Sequence, residues 1–119
     1  LMKTVNPAEK LALFDTHWDP KVIASYNNND VMVVKFQGEF PFHKHDDTDD
    51  FFLVLQGEMF MDRENGEPLR VRAGELCVVP AKAVHRPRAV QECHVLLIEP
   101  AGEPNTGDSG QPAAAKDHF

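Results

Sequence analysis

Cysteine is scarce in this chain. Its 119 residues include only Cys77 and Cys93, too few for a disulfide-stapled scaffold. Each lies in an apolar, strand-like stretch, and both read as buried free thiols, which pack as small hydrophobes. A disulfide between them stays open on sequence alone. Basic residues are also short: 12 Lys and Arg face 19 Asp and Glu, a formal charge of −7. Non-specific binding to nucleic acid or an anionic membrane needs clustered cations, so neither is an expected partner. No apolar run approaches the roughly 18 residues of a membrane span. The first ten residues carry Lys3, Glu9 and Lys10 without the apolar centre of a secretory leader. A soluble, cytoplasmic protein is expected. A long amphipathic helix is missing as well.

What the chain does hold is a β pattern. Hydrophobic residues make up 42% of it, as in ordinary globular proteins, and the length suits one domain. A domain of this size buries roughly 65% of its unfolded-chain surface, so its core needs no staples. Short apolar runs are broken by turn residues at roughly the 8–12-residue spacing of an all-β sandwich or barrel. Strands are expected at 21–26, 31–37, 41–45, 51–56, 58–62, 69–72, 76–79, 85–90 and 94–99. Asn27-Asn28-Asn29-Asp30 reads as a turn, and Asn65-Gly66 as a hairpin. Residues 1–20 form an N-terminal arm, 21–100 the barrel, and 101–119, rich in Gly, Pro, Ala and polar residues, a weakly ordered C-terminal tail. The run Phe51-Phe52-Leu53-Val54-Leu55 is apolar on both faces. Phe52 and Val54 share one direction with Asp50 and line an apolar part of the pocket. Phe51, Leu53 and Leu55 need cover from an opposing sheet, the arm or a second copy; a homodimer is the expectation.

Histidine carries the sharpest signal. His43-Lys44-His45 sets two imidazoles at i and i+2, on one face of an extended strand. The polar, turn-prone stretch 46–49 then brings the chain to Asp50, so a turn folds Asp50 back beside the pair. His85 opens a later strand. Three imidazoles and one carboxylate converging in a β scaffold make a site for a divalent transition metal such as Fe, Mn, Zn or Ni. Open coordination positions would mark it as catalytic rather than structural. Its partner is then a small-molecule substrate or ligand. Arg86 and Arg88 have the opposite parity to His85 and point away from the metal. Phe40 and Phe42 read as core, His94 as a satisfied core histidine beside Leu96 and Ile98, and His17 and His118 as solvent-facing. Glu39, on the His43 face by parity, is the best candidate for an acid/base group outside the ligand set.

With those residues in place, the chain resembles a single-domain cupin. The family's first motif is met by Gly38, His43-Lys44-His45, Asp50 and Gly57, and its second by Gly74, Pro80, Lys82, His85 and Ala89. The resemblance implies an all-β cupin double-stranded β-helix, a jelly-roll barrel, with metal ligands at His43, His45, Asp50 and His85. Four departures stand out. Gly38 lies one residue closer to His43 than the pattern has it. Lys82 replaces a Gly, Ala89 an Asn, and Asp50 a Glu. Aspartate reaches roughly 1–1.5 Å less than glutamate, so Asp50 ligates after a backbone shift, acts through a water, or leaves a three-histidine site. Asp49 is an alternative carboxylate, placed on the opposite face by strand alternation.

Small cupins of this kind are grouped with the mannose-6-phosphate isomerase type. The resemblance therefore implies an isomerase or epimerase acting on a small hydroxy-carbonyl or sugar-like compound. No clustered basic set points into the barrel, as a phosphate would want. A metal-dependent oxygenase is the second enzymatic reading. A non-catalytic small-molecule-binding cupin is the third, in line with the changes at Asp50 and Ala89. An acid/base residue facing the pocket would separate enzyme from binder.

Overall fold

The computed structural model describes residues 2–112 and 116–119. Their elements run α1 (Pro7–Leu11), β1 (Lys21–Tyr26), β2 (Asn29–Glu39), β3 (Asp50–Gln56), β4 (Glu58–Arg63), β5 (Leu69–Arg72), β6 (Leu76–Val79), β7 (His85–Pro100) and β8 (Asp117–His118). The architecture is the all-β cupin jelly roll. None of the described helices is long and apolar enough to cross a membrane.

β7 ties the two sheets together. One edge runs antiparallel along β2, from Asn29↔Pro100 to Glu39↔Arg88. The other edge is shared. β4 takes its first part, from Arg63↔His85 to Phe60↔Arg88. β3 takes the last part, from Gln56↔His94 to Phe51↔Ile98. β5 pairs onward from β4, β6 from β3 and β1 from β2. The sequence reads residues 85–90 and 94–99 as two strands. They are one, because β2 pairs with both parts, and the exposed middle, Val90-Gln91-Glu92, is where the strand passes between sheets. A register shift between Phe36 and Gly38 faces this crossing, and such a bulge bends a strand. Gly57 sits at the same corner with φ +81, and a Cβ there would lie 3.1 Å from the Glu92 carbonyl oxygen. Only glycine takes both that conformation and that approach without strain.

Strand alternation builds the core. Met32, Val34, Val54, Met59, Met61 and Val95 point inward and are at most 1% exposed. β2 is buried on its other face too, where Val33 meets Leu11 and Ile23, with Val5, Phe14, Leu55 and Phe119 packed around them. α1 delivers Leu11. Its N-cap Asn6 accepts from the Glu9 backbone N–H at 3.2 Å, and Pro7 opens the first turn. The arm thus covers Leu55, one of the residues that need a second layer. Phe51 and Leu53 stay half-buried beside the exposed Leu76 and Val78.

Three further expectations about the fold differ from the structure. Residues 41–45 form no strand; only a His43↔His85 bridge remains, since Pro41 has no N–H to give a ladder. Phe42 is 44% exposed and stacks under the Arg86 guanidinium at 4.5 Å rather than entering the core. The described parts of the stretch read as a weakly ordered tail, residues 101–112 and 116–119, fold back on the barrel. The Lys44 N–H donates to Asp108 Oδ1 at 2.8 Å, Thr106 is buried, and β8 pairs with β1. Hydrophobicity alone hides this, because the segment is held by polar anchors.

Gly107 is the tightest of these anchors. Its φ is +54, and a Cβ there would overlap the Lys44 carbonyl oxygen and come within 2.9 Å of His43 Cδ2. A left-handed conformation costs a non-glycine residue about 1–2 kcal/mol, and overpacking adds about 1–3 kcal/mol. Gly107→Val should therefore raise the opening of residues 101–112 at least about tenfold. Limited proteolysis should show faster cleavage there with the barrel fragment intact. Cleavage at the parent rate would contradict the packing described.

Candidate metal centre

Each predicted ligand is placed by the β scaffold. His43 and His85 exchange backbone hydrogen bonds, His43 N–H to His85 O at 3.0 Å and His85 N–H to His43 O at 2.9 Å. His45 is fixed by its carbonyl, which accepts from the Lys82 N–H at 2.7 Å. Lys82 holds φ +73, so the position where the motif has glycine keeps a glycine-type backbone. Asp50 opens β3, facing inward with Phe52 and Val54. All four side chains are buried, and their ligand atoms lie within 4.8 Å of one another. Asp49 points elsewhere and accepts from the Ala81 N–H at 2.9 Å. Ala89 packs in the core cluster.

The ring nitrogens share one pattern. His43 Nδ1 meets Pro41 O at 2.9 Å, His85 Nδ1 meets Ala83 O at 2.8 Å, and His45 Nδ1 meets Glu103 Oε1 at 2.9 Å. Such outer partners take the Nδ1 proton and aim the Nε2 lone pair inward, as in metal sites generally. Asp50 Oδ2 lies 3.1 Å from His85 Nε2 and 3.4 Å from His45 Nε2. Two ligands at right angles around a metal at about 2.1 Å stand roughly 3 Å apart, so Asp50 is not too short for this set. His45 Nε2 and Asp50 Oδ1 are buried with no hydrogen-bond partner among the described residues. Unpaired buried polar atoms are costly, and a divalent cation would satisfy both. The donor set fits the metal that the fold implies.

Electrostatics tell the same story for the metal-free protein. Burial pushes the Asp50 carboxyl up, but the close imidazole of His45 and the hydrogen bond with His85 outweigh it and hold the group below its ordinary range. Burial lowers His45, yet Asp50 and Glu103 raise it further, to about 9. Burial and the neighbouring imidazoles hold His43 below its ordinary value, against a raising hydrogen bond to Pro41.

The centre opens on a small apolar cavity of about 20 Å³. Trp18, Val34, Phe36, Phe40, Phe52 and Leu97 supply its walls. Trp18 stacks on Phe36 with centroids 4.3 Å apart and leans on Phe40 at 4.9 Å. Its φ of 57 turns the arm so that the indole enters, with Nε1–H donating to Gln37 O at 2.8 Å. Arg86 and Arg88 stay outside. Both bind Asp62, at 2.7 and 2.8 Å. Arg86 also reaches Glu39 at 3.3 Å.

That contact corrects the choice of Glu39, which is exposed and tied to Arg86. The cavity carboxylate is Glu99. Phe51 pairs with Ile98, so Asp50 and Glu99 are next along the same two strands and share the inner face. Glu99 is 3% exposed, and burial, reinforced by the Asp50 charge, raises its carboxyl to about 7. Strand parity held the clue, since Glu99 shares a face with Cys93, Val95 and Leu97. His94 is correspondingly on the outer face, 3.3 Å from Glu92, and not in the core. Glu103 and Asn105 left no sequence signal.

Residues 30–99 match the family model of the cupin domain, and the chain belongs to the cupin family. It is 32% identical over 77 residues to the uncharacterized protein YdbB of Bacillus subtilis, covering 65% of this chain and 68% of that one. A cupin-2 domain containing protein from Shewanella frigidimarina is 38% identical, with TM-score 0.79 over 81% of this chain and 93% of its own. Protein NMB1881 from Neisseria meningitidis is 31% identical, with TM-score 0.76 over 83% and 100%. A more distant likeness shows the fold alone: hydroquinone 1,2-dioxygenase from Sphingomonas, 21% identical, TM-score 0.74 over 84% of this chain and 33% of that one.

The raised His45 gives a signed pH dependence. Its contribution to metal-free stability is complete below the unfolded value of 6.5 and is lost as pH rises through about 9. EDTA-treated protein should therefore lose more Tm between those limits than His45→Gln does. Equal losses for both proteins would refute the charged His45–Asp50 pair.

Proposed function

We propose that this cupin is a divalent-metal-dependent enzyme acting on a small, uncharged hydroxy-carbonyl compound, of the isomerase or epimerase type. Glu99 carries this reading: it is a buried carboxylate inside the cavity, beside the ligand set but outside it. His43, His45, His85 and Asp50 would hold the metal, and Fe, Mn, Zn and Ni suit that set. Once bound, the metal supplies Lewis-acid polarisation of a carbonyl oxygen. Glu99 Oε2 would take the proton from the hydroxyl-bearing carbon and return it to the former carbonyl carbon, while the hydroxyl proton passes to the former carbonyl oxygen, which becomes the new hydroxyl. A carboxyl near 7 is matched to such transfer at neutral pH. The aromatic walls exclude water, and Trp18 and Phe40 confine the carbon skeleton. Sugar phosphates are disfavoured, because Arg86 and Arg88 are committed to Asp62.

A second reading is an oxygenase. The stacked Trp18, Phe36 and Phe40 suit a flat ring, and the hydroquinone 1,2-dioxygenase likeness is consistent with it at the level of fold. The reading also includes a homodimer, supported by the outer face of Phe51, Leu53, Leu76 and Val78. A monomer by sedimentation velocity at micromolar concentration would remove that part.

The test has two stages. Mass spectrometry of protein purified without a nickel column should find near-stoichiometric metal, reduced at least about tenfold in His45→Ala, in line with the loss of a ligand contact. Equal metal in both proteins would sink the ligand assignment. Metal-loaded protein should then exchange the carbon-bound protons of hydroxyacetone in D2O, followed by NMR. Glu99→Gln should slow exchange by about 10²–10⁴, the usual worth of a general base. Bound metal without exchange would exclude the isomerase reading for this class.

A further inference from the structure

Two buried acceptors face the cavity without partners. Glu99 Oε2 and Asn105 Oδ1 are both buried and lack a hydrogen-bond partner among the described residues. Both residues line the same space as the apolar walls and the candidate ligands His43 and Asp50. The nearest cation to Glu99 is Lys116 Nζ, at 3.8 Å, too far for a hydrogen bond. An acceptor left unpaired in a dry site costs free energy that a donor on a ligand would recover.

Asn105 is there because the C-terminal segment is anchored at several points. Glu103 Oε1 contacts His45 Nδ1 at 2.9 Å. Lys116 donates to the Glu103 carbonyl. The Asp108 backbone N–H donates to Lys44 O at 3.2 Å, and its carboxylate takes the Lys44 N–H. Thr106, next to Asn105, is 5% exposed. Asn105 therefore sits between two fixed points and lines the cavity, its Oδ1 buried. It carries no charge, and an amide both accepts from a hydroxyl and donates to an oxygen.

We infer that Asn105 is the substrate-positioning residue of this site, an acceptor supplied by the C-terminal segment that selects ligands bearing a neutral hydroxyl. The ligand hydroxyl donates to Asn105 Oδ1, its carbon skeleton packs on Trp18 and Phe40, and Glu99 is left for the reacting carbon. Anionic groups at this position are rejected, because two oxygen acceptors and the Asp50 carboxylate face them. This assignment of substrate class rests on the hydroxy-carbonyl reading above. The selection of a hydroxyl by Asn105 does not need the metal.

Trp18 is the only tryptophan in the chain, and it lines the cavity, so its fluorescence reports ligand entry. Hydroxyacetone and acetone differ by one hydroxyl and serve as probes. They are titrated against EDTA-treated and zinc-loaded protein, with saturable quenching taken as binding. The parent should bind hydroxyacetone more tightly than acetone in both forms. Asn105→Leu should weaken hydroxyacetone about three- to tenfold, the range of one hydrogen bond, and leave acetone unchanged. Asn105→Ser keeps a small acceptor and should recover part of the preference. Circular dichroism of the variants separates loss of folding from loss of the contact. No preference in the parent, or equal weakening of both probes in a folded Asn105→Leu, would overturn the assignment. A preference that survives EDTA while zinc fails to bind would sink the metal reading and leave Asn105 in place. Zinc binding with a preference unmoved by Asn105→Leu would do the reverse.

Discussion

A carboxylate buried in a β barrel is the constraint on which the site depends. Taking an ion such as Asp50 out of water costs several kcal/mol unless close partners compensate. Here the partners are imidazoles, with Asp50 Oδ2 3.1 Å from His85 and 3.4 Å from His45. Those rings are themselves held from behind by Pro41, Ala83 and Glu103. The arrangement is stiff because two of the three anchors are backbone carbonyls of the segments that carry the rings. Moving the His43 or His85 ring would break a hydrogen bond to its own chain neighbourhood, and moving the His45 ring would break its contact with Glu103. The same stiffness lets a shorter Asp stand at the motif's Glu position without leaving the donor cluster, because the histidines converge on where its oxygen already is.

The legible part of this design follows strand parity. Lys21–Tyr26, Leu69–Arg72 and Leu76–Val79 fall where alternation and turn residues place them, and the ligand set assembles from a His-x-His pair and two distant residues. Misplacements occur where parity stops applying. Phe42 lies in a segment without a ladder, so its alternation says nothing of inside or outside. Joining β7 into one strand required knowing that β2 runs beside all of it, which is a tertiary fact. Glu99 was visible in principle as a charge among inward-facing Cys93, Val95 and Leu97, yet a charge near a strand end looks like a solvated terminus. Glu103 and Asn105 lie in a polar, Gly- and Pro-containing stretch whose composition resembles disorder.

The composition of the cavity bears on chemistry more than the fold does, since one barrel hosts many reactions. Its cations are outside: Arg86 and Arg88 share the Asp62 carboxylate, each with an aromatic ring beneath it, Phe42 and Phe60. Inside are aromatic faces, two carboxylates, the His43 imidazole and an amide. Apolar walls around the Asp50–Glu99 pair keep one of the two carboxyls from ionising readily, because like charges in a dry site oppose each other. The adjacent imidazoles of His45 and His85 settle which: Asp50 holds its charge, and Glu99 is left near neutrality. Two carboxyls with different environments are thereby given different tasks.

Ordering of the C-terminal segment follows from the same electrostatics. Residues 101–112 bring little apolar surface, so burial alone would not offset the entropy of fixing them. Their order instead comes from polar groups that the barrel leaves available at its mouth: the Nδ1 of His45, and the N–H and carbonyl of Lys44. The segment and the imidazole cluster are consequently in contact at two points. Glu103 orients His45, and His43 packs against Gly107. A change in how the imidazoles are held therefore acts on the position of Asn105, and the barrel's generic donor set and the segment's own residues form a single site.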